Sequence, residues 1–400
     1  MEDTDKNNTT QVLQVLQALK QASQDLQHKH DNNTSLAIKA LLELHTESDT
    51  ILSNDPNLSA LSHHLSRLKH LVDQVNSTTS HSIRSFLSRR LSTHFISKLA
   101  NSIESEIQAW IDRESLHSLS RHLNDNLAPN DDLIALLTQF RHRLSQGFNR
   151  DLQDLVLKNK IFSSLESLLF DAKCSLQVRE HAGLAVAALI QFNKDVFVGQ
   201  ALMGPTIRAL VGMGSLRSIE ALCSLIRSIK SPFVDEIESN GEIPNIIGFL
   251  DCKELEMKVM GMDCVLEIGY FGRKEAVEAM LKEGLVEKLV ELQRSELGGD
   301  LIDLDHEKKK KKKKEEEEDD DNDGDEDGEV GEGKRQRFLE GHPFASCVAR
   351  FAVMLEVGEG LRQREKRAFK QEILFSVREA SVSDAEAATI VAEVLWGTSL

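Results

Sequence analysis

Residues 178–190 read VREHAGLAVAALI, residues 217–229 read RSIEALCSLIRSI, and residues 256–268 read EMKVMGMDCVLEI. Ala182, Val186 and Ile190 in the first stretch fall on Ala221, Leu225 and Ile229 in the second, 39 residues on. A further 39 places them on Met260, Cys264 and Ile268. The i, i+4, i+8 spacing is one stripe along a helix. A second helical signal, Ile207, Leu210 and Val211, returns as Ile246, Phe249 and Leu250, and then, shifted by 43, as Leu289, Val290 and Leu292. A period near 40 with two helices per unit predicts an α-solenoid. Such a fold holds other proteins more often than it performs chemistry.

Outward from that core, composition agrees. Hydrophobic residues make up 40% of the 400, but aromatics only 5%, so Leu, Ile and Val must do the packing. The first glycine is Gly147, and only Pro56 and Pro129 break the chain before it, which predicts an all-helical start. Leu58, Leu61, Leu65, Leu68, Val72 and Val75 form one stripe, and Ile83 to Ile111 form another. With earlier helices near 10–29 and 34–53, residues 1–125 read as an antiparallel bundle of about four helices. After a turn at 124–131, one helix carrying Leu133, Leu137, Phe140, Leu144, Phe148, Leu152 and Leu155 joins the bundle to the array.

The repeats span 131–299. Residues 300–336 differ in kind: seven lysines, Lys308 to Lys314, abut thirteen acidic residues between Glu315 and Glu332, which predicts a disordered Lys/acidic insertion. Residues 338–400 resume with apolar stripes at Phe344, Val348, Phe351, Ala352 and Leu355, and at Phe369, Ile373, Phe375 and Val377. Ser383-Asp384-Ala385-Glu386 reads as a capping box before Ile390, Val394 and Leu395, so this region is one more helical repeat and a cap.

The repeat unit resembles the armadillo family. Gly241 and the run Ile243-Pro244-Asn245-Ile246-Ile247-Gly248-Phe249-Leu250 are similar to that family's helix opening, and Val178-Arg179-Glu180-His181-Ala182 to the start of its long third helix. The resemblance implies an all-α fold: an N-terminal helical bundle followed by a right-handed α-solenoid of armadillo-like repeats. It also implies a partner groove lined by third helices. Import-type members of the family carry a Trp, and an Asn four residues on, that clamp an extended peptide. The matching pairs here are Leu184/Ala188, Cys223/Arg227 and Met262/Leu266, with neither residue type. These six are the candidate groove residues, and their apolar character suggests a helix or hydrophobic segment as ligand. The layout also resembles plant U-box armadillo proteins, yet residues 125–160 are too short and too helical to hold a U-box.

Candidates for chemistry are few. The five cysteines, Cys174, Cys223, Cys252, Cys264 and Cys347, form no CxxC pair and read as buried thiols of a reducing compartment. His63/His70 is a two-turn gap, too wide for one ion. No nucleotide, nucleophile-elbow or zincin motif occurs. No catalytic residue, cofactor or metal is expected. The net charge of −17 opposes phosphate backbones, so no nucleic acid is expected. No run of about 18 apolar residues and no signal peptide is visible, which predicts an intracellular protein. The run Lys308, Lys309, Lys310, Lys311, Lys312, Lys313 and Lys314 also reads as a nuclear-import signal, with a solvated polyampholyte tract as the plainer account.

The leading expectation is a non-enzymatic scaffold or adaptor with an unidentified protein partner. A regulatory subunit of ubiquitin signalling without ligase activity is the second. A membrane-associating bundle is the third, from Arg84, Arg89, Arg90 and Lys98 beside the 83–111 stripe.

Overall fold

The computed structural model describes residues 12, 16–21, 58–77, 83–124, 130–299 and 339–396, with backbone only for 71–77 and 83–97. The predicted helices at 34–53, most of the one at 10–29, the 300–336 insertion with its lysine run, and the side chains of Arg84, Arg89 and Arg90 lie outside them. Every regular element among the described residues is helical. Two compact units result: residues up to 125 with 149–161, and residues 126–148 with 162–400. The segment 149–161, read from the sequence as part of the repeats, thus groups with the first unit.

In the first unit α1 (Ser59–Ser77) packs along α2 (Ile83–Asn124), and α4 (Arg150–Lys158) packs on α2. Leu58, Leu61, Leu65 and Leu68 are fully buried, as are Ile103 and Ile107. The α2 stripe then continues through Trp110, Leu116 and Leu119, and Ile111 is only half-buried. Lys20 donates to Gln108 at 2.6 Å, and Gln108 donates to Asp112 at 2.7 Å.

The second unit is the solenoid. Its helices are α3 (Asn130–Ser145), α5 (Ile161–Phe170), α6 (Leu176–Phe192), α7 (Lys194–Met203), α8 (Thr206–Met213), α9 (Leu216–Ile229), α10 (Ser231–Ser239), α11 (Ile243–Gly248) with a 3-10 turn over Phe249–Asp251, α12 (Leu255–Phe271), α13 (Lys274–Lys282), α14 (Leu285–Arg294), α15 (Cys347–Val357), α16 (Gln363–Ala380) and α17 (Asp384–Trp396). The long helices stack in one series, each packed on the next: α3, α6, α9, α12, α15, α17. These are the third helices of successive repeats.

The sequence period is written into the packing. Thr206 Oγ1 donates to Glu166 at 3.0 Å, Arg227 Nε to Glu267 at 2.6 Å and Ser231 Oγ to the Phe271 carbonyl at 2.6 Å, each across 40 positions. The stripes of α6 and α9 are buried as expected, from Ala182 to Ile190 and from Ala221 to Ile229. A Leu225→Ala change in this layer would cost about 2–5 kcal/mol. Caps fix the helix starts: Ser175 accepts the Val178 amide, and Ser215 and Ser218 close a reciprocal capping box on α9.

Five expectations change. The unit has three helices, not two, because α7, α10 and α13 each precede a second helix. Met260 is half-buried, and Met257 takes its place in the core of α12. The single helix predicted from Leu133 to Leu155 is two. Gly147 takes φ +111° and Asn149 caps the second piece through Leu152 N at 2.9 Å, which leaves Phe148 63% exposed. Phe375 and Leu395 face outward instead of joining the stripes of α16 and α17. In the box at 383–386, Ser383 Oγ accepts the Glu386 amide, but Glu386 returns to the amide of Val382.

The segment 300–338 interrupts one repeat between its second helix, α14, and its third, α15. Phe344 N donates to Leu297 O at 3.1 Å and Ser346 N to Gly299 O at 2.9 Å, which clasps the two ends. Further on, Glu359 N and Gly360 N both donate to Tyr270 O, tying the turn after α15 to the end of α12.

Candidate functional site

Third helices put one buried flank on each neighbour and leave a strip facing out. Of the six candidate groove residues, Leu184, Cys223, Met262 and Leu266 are buried in the contacts between helices, Ala188 is half-buried, and Arg227 is exposed. Four of the six are thus largely closed to solvent. They are packing residues of the stack, and the chemistry offered to solvent belongs to Arg227 and to residues the sequence reading did not single out.

That chemistry is a ladder of polar pairs running from helix to helix. Arg227 on α9 is bound to Glu267 on α12, with 57% of its own side chain and 23% of the glutamate's exposed. The hydrogen bond to Glu267 holds the Arg227 guanidinium above its usual range. Half-buried Asp263, one turn before Glu267, is pushed above the usual carboxylate range by burial, while Arg350 of α15 and then Arg227 draw it down. Arg350 itself is lowered by burial and donates to Pro343 O at 2.7 Å. Gln191 of α6 donates to Ser224 of α9 at 2.8 Å.

At the other end of the helices His181 of α6 sits between α3 and α9. Arg217 Nη1 lies 3.0 Å from His181 Nε2, and Thr138 Oγ1 lies 3.4 Å from His181 Nδ1. A guanidinium only donates, so Nε2 accepts and the proton sits on Nδ1. Burial, then Arg217 and Arg141, hold this imidazole below its ordinary range and keep it neutral. Arg217 also reaches Glu180 at 3.8 Å. A signal for these pairs existed in the sequence: Arg227 and Glu267 are opposite charges one residue off the 39-residue period.

The thiols below the ladder are quiet. Cys264 is raised well above its ordinary value by its hydrogen bond with Cys223 and by burial. Burial pushes Cys347 up to about 12, and its Sγ donates to Leu289 O. A protonated, buried thiol is a packing group and not a nucleophile. Among the described residues no group of three His, Cys, Asp or Glu side chains is placed to hold a metal ion. No single described helix is long and apolar enough to cross a membrane.

No protein-family model matches the chain, and no curated protein matches it. Among solved structures, a designed armadillo repeat protein in complex with the peptide (KR)4 is 16% identical, covering 70% of this chain and 99% of that one at a TM-score of 0.42. A second designed armadillo repeat protein is 15% identical over the same shares at 0.41. An engineered protein is 14% identical over 94% of this chain and 88% of that one at 0.40. TM-scores this low carry neither a family nor a ligand across, and the chain's own packing is what makes its second unit an all-α solenoid with three helices per repeat.

Proposed function

We propose that this chain is a non-enzymatic adaptor that binds a protein partner on the third-helix face of its solenoid. The observation that carries the reading is the polar ladder. Residues from α3, α6, α9 and α12 are joined by polar contacts at both ends of the third helices, an arrangement that exists only when the repeats are stacked. Successive repeats that present a continuous face are suited to an elongated ligand. The exposed groups carry both signs and paired donors and acceptors, so the partner is recognised by hydrogen bonds and charge more than by apolar burial.

The test compares partners captured in cells by the wild-type chain with those of Arg227→Glu, Glu267→Arg and the double charge swap. The single variants place like charges together, whereas the swap restores the pair with reversed polarity. We expect the swap to keep wild-type stability and lose partners. Folded variants that keep the wild-type partner list would remove this face from consideration.

A further inference from the structure

We propose that the partner presents an acidic segment to the third-helix face, and that its carboxylates dock at Arg141 and Arg217 while His181 between them takes up a proton. The inference rests on the adaptor reading above and names the ligand chemistry at one end of that face. Three successive third helices supply the groups: Arg141 from α3, His181 from α6 and Arg217 from α9. Arg141 makes no hydrogen bond or ion pair among the described residues. The Arg217 side chain is 50% exposed, and the carboxylate it reaches, that of largely buried Glu180, stands at 3.8 Å, beyond hydrogen-bond range. Two guanidiniums thus share one distant, buried counter-charge, a local excess of positive charge in a chain whose net charge is −17.

His181 is placed to respond to what fills that excess. Its ring nitrogens meet Arg217 Nη1 at 3.0 Å and Thr138 Oγ1 at 3.4 Å. The charged groups acting on the ring are Arg217 of α9, Arg141 of α3 and Glu180 beside it on α6; α7 and α8, which also pack on α6, contribute none. Burial, with two cations against one anion, holds the imidazole below its ordinary range. A carboxylate that engages the guanidiniums supplies the missing negative charge, and Arg217 turns its donors from Nε2 to the ligand. Nε2 is then open to a proton, so docking raises the pKa of His181. The bound state therefore holds more proton than the free one, and affinity rises as pH falls through the interval between the free and bound values. Glutamates stay ionised down to about pH 6, whereas a phosphate would itself titrate there, so glutamates make the cleaner probe.

The test is fluorescence anisotropy of a fluorescein-labelled peptide of alternating Glu and Ser, titrated with the full chain at about pH 7.5 and about pH 6, beside the same peptide with Gln for Glu. We expect the Glu peptide alone to bind, and to bind about three-fold or more tightly at the lower pH. Arg141→Glu and Arg217→Glu should each weaken it by about five-fold or more, and Arg141→Glu breaks no internal contact. Lys282→Glu on α13 makes the same change in net charge in a later repeat and should leave binding unaltered. His181→Gln keeps an acceptor for Arg217 but cannot titrate, so its affinity should be the same at both pH values. A chain that ignores the Glu peptide, or binds it regardless of both arginines, would overturn the docking site, and a pH response that survives in His181→Gln would overturn the proton uptake. A peptide that binds only after residues 304–334 are replaced by a Gly-Ser linker would give the site to the chain's own acidic run and overturn the assignment to a partner. If any of these occurs while the Arg227 and Glu267 swap still changes the captured partners, the adaptor reading stands and only the ligand chemistry falls.

Discussion

The amide of Ser346 donates to the carbonyl of Gly299 at 2.9 Å, with the whole of segment 300–338 lying between them in sequence. Beside it Phe344 N binds Leu297 O, and α14 packs on α15. The repeat is therefore closed by its own bonds, which leads to the expectation that the intervening sequence contributes a loop-closure cost. Replacing residues 304–334 by a short Gly-Ser linker should raise the stability of the second unit by about 1 kcal/mol, because closure entropy grows with the logarithm of loop length. Urea unfolding monitored by circular dichroism measures this. A lower midpoint would mean that the segment supports the fold.

Much of the fold was legible because the third helices are long. Ala182 to Ile190 and Ala221 to Ile229 give two full turns of buried stripe, enough to fix both period and phase. The first helices were not legible. Phe233, Val234 and Ile237 on nine-residue α10 make barely one turn of pattern, behind Pro232, and they are held by tertiary contacts more than by periodicity. The site was half legible. Sequence located Arg227, but pairing it with Glu267 needs the crossing of α9 on α12, which sets an offset of 40 where the repeat is 39. The apolar candidates are buried for a physical reason. Leu184, Cys223, Met262 and Leu266 stand where a solenoid needs packing between third helices, and a stripe does not say which of its edges meets solvent.

Glu393 lies at zero exposure, where Gln293 Nε2 donates to one carboxyl oxygen at 2.8 Å and Ser346 Oγ donates to the other. The residue thus joins α14, the clasp and α17, and two donors would lose their acceptor on truncation. Glu393→Ala should cost about 2–4 kcal/mol from unsatisfied buried donors and the cavity left behind. Hydrogen exchange reads this locally: amides of 347–396 should lose protection while those of 176–229 keep theirs. Uniform loss across both would show that the last repeats do not unfold as a separate section.

Two glycines should respond in opposite senses. A Cβ on Gly360 would lie 2.0 Å from the Gly272 carbonyl oxygen and 2.6 Å from that of Phe271, and both are backbone atoms that no side-chain rotation relieves. Gly360→Ala should therefore destabilise by about 1–3 kcal/mol or more, by prying the turn after α15 from the end of α12. Gly199, inside α7, has open space around its Cα. Gly199→Ala should stabilise by about 0.5–1 kcal/mol through helix propensity alone. Thermal melts of both variants against wild type decide; a neutral Gly360→Ala would mean that the turn is free to move off Tyr270.

Arg294 holds Glu386 with two hydrogen bonds, Nε to Oε1 at 2.7 Å and Nη2 to Oε2 at 3.1 Å, and Val382 N adds a third at 2.7 Å. The Arg294 contact above all, with the Val382 amide, holds this carboxyl below its ordinary range. A carboxyl with a depressed folded pKa binds fewer protons in the native state than in the unfolded chain through the interval between the two values. Its stabilisation is therefore complete above the unfolded value near 4.3 and is lost as pH falls through the folded one. Glu386→Gln keeps shape and removes charge, so at neutral pH it should be less stable than wild type by about 1 kcal/mol, the scale of a partly exposed, charge-assisted pair. The gap should close below about pH 4 as the wild-type carboxyl takes up its proton. Urea midpoints of both proteins from about pH 7 to about pH 3.5 measure that convergence. A gap that stays constant into acid would assign the loss to shape and hydrogen-bond geometry, and would remove the charge of this pair as one of the contacts between α17 and α14.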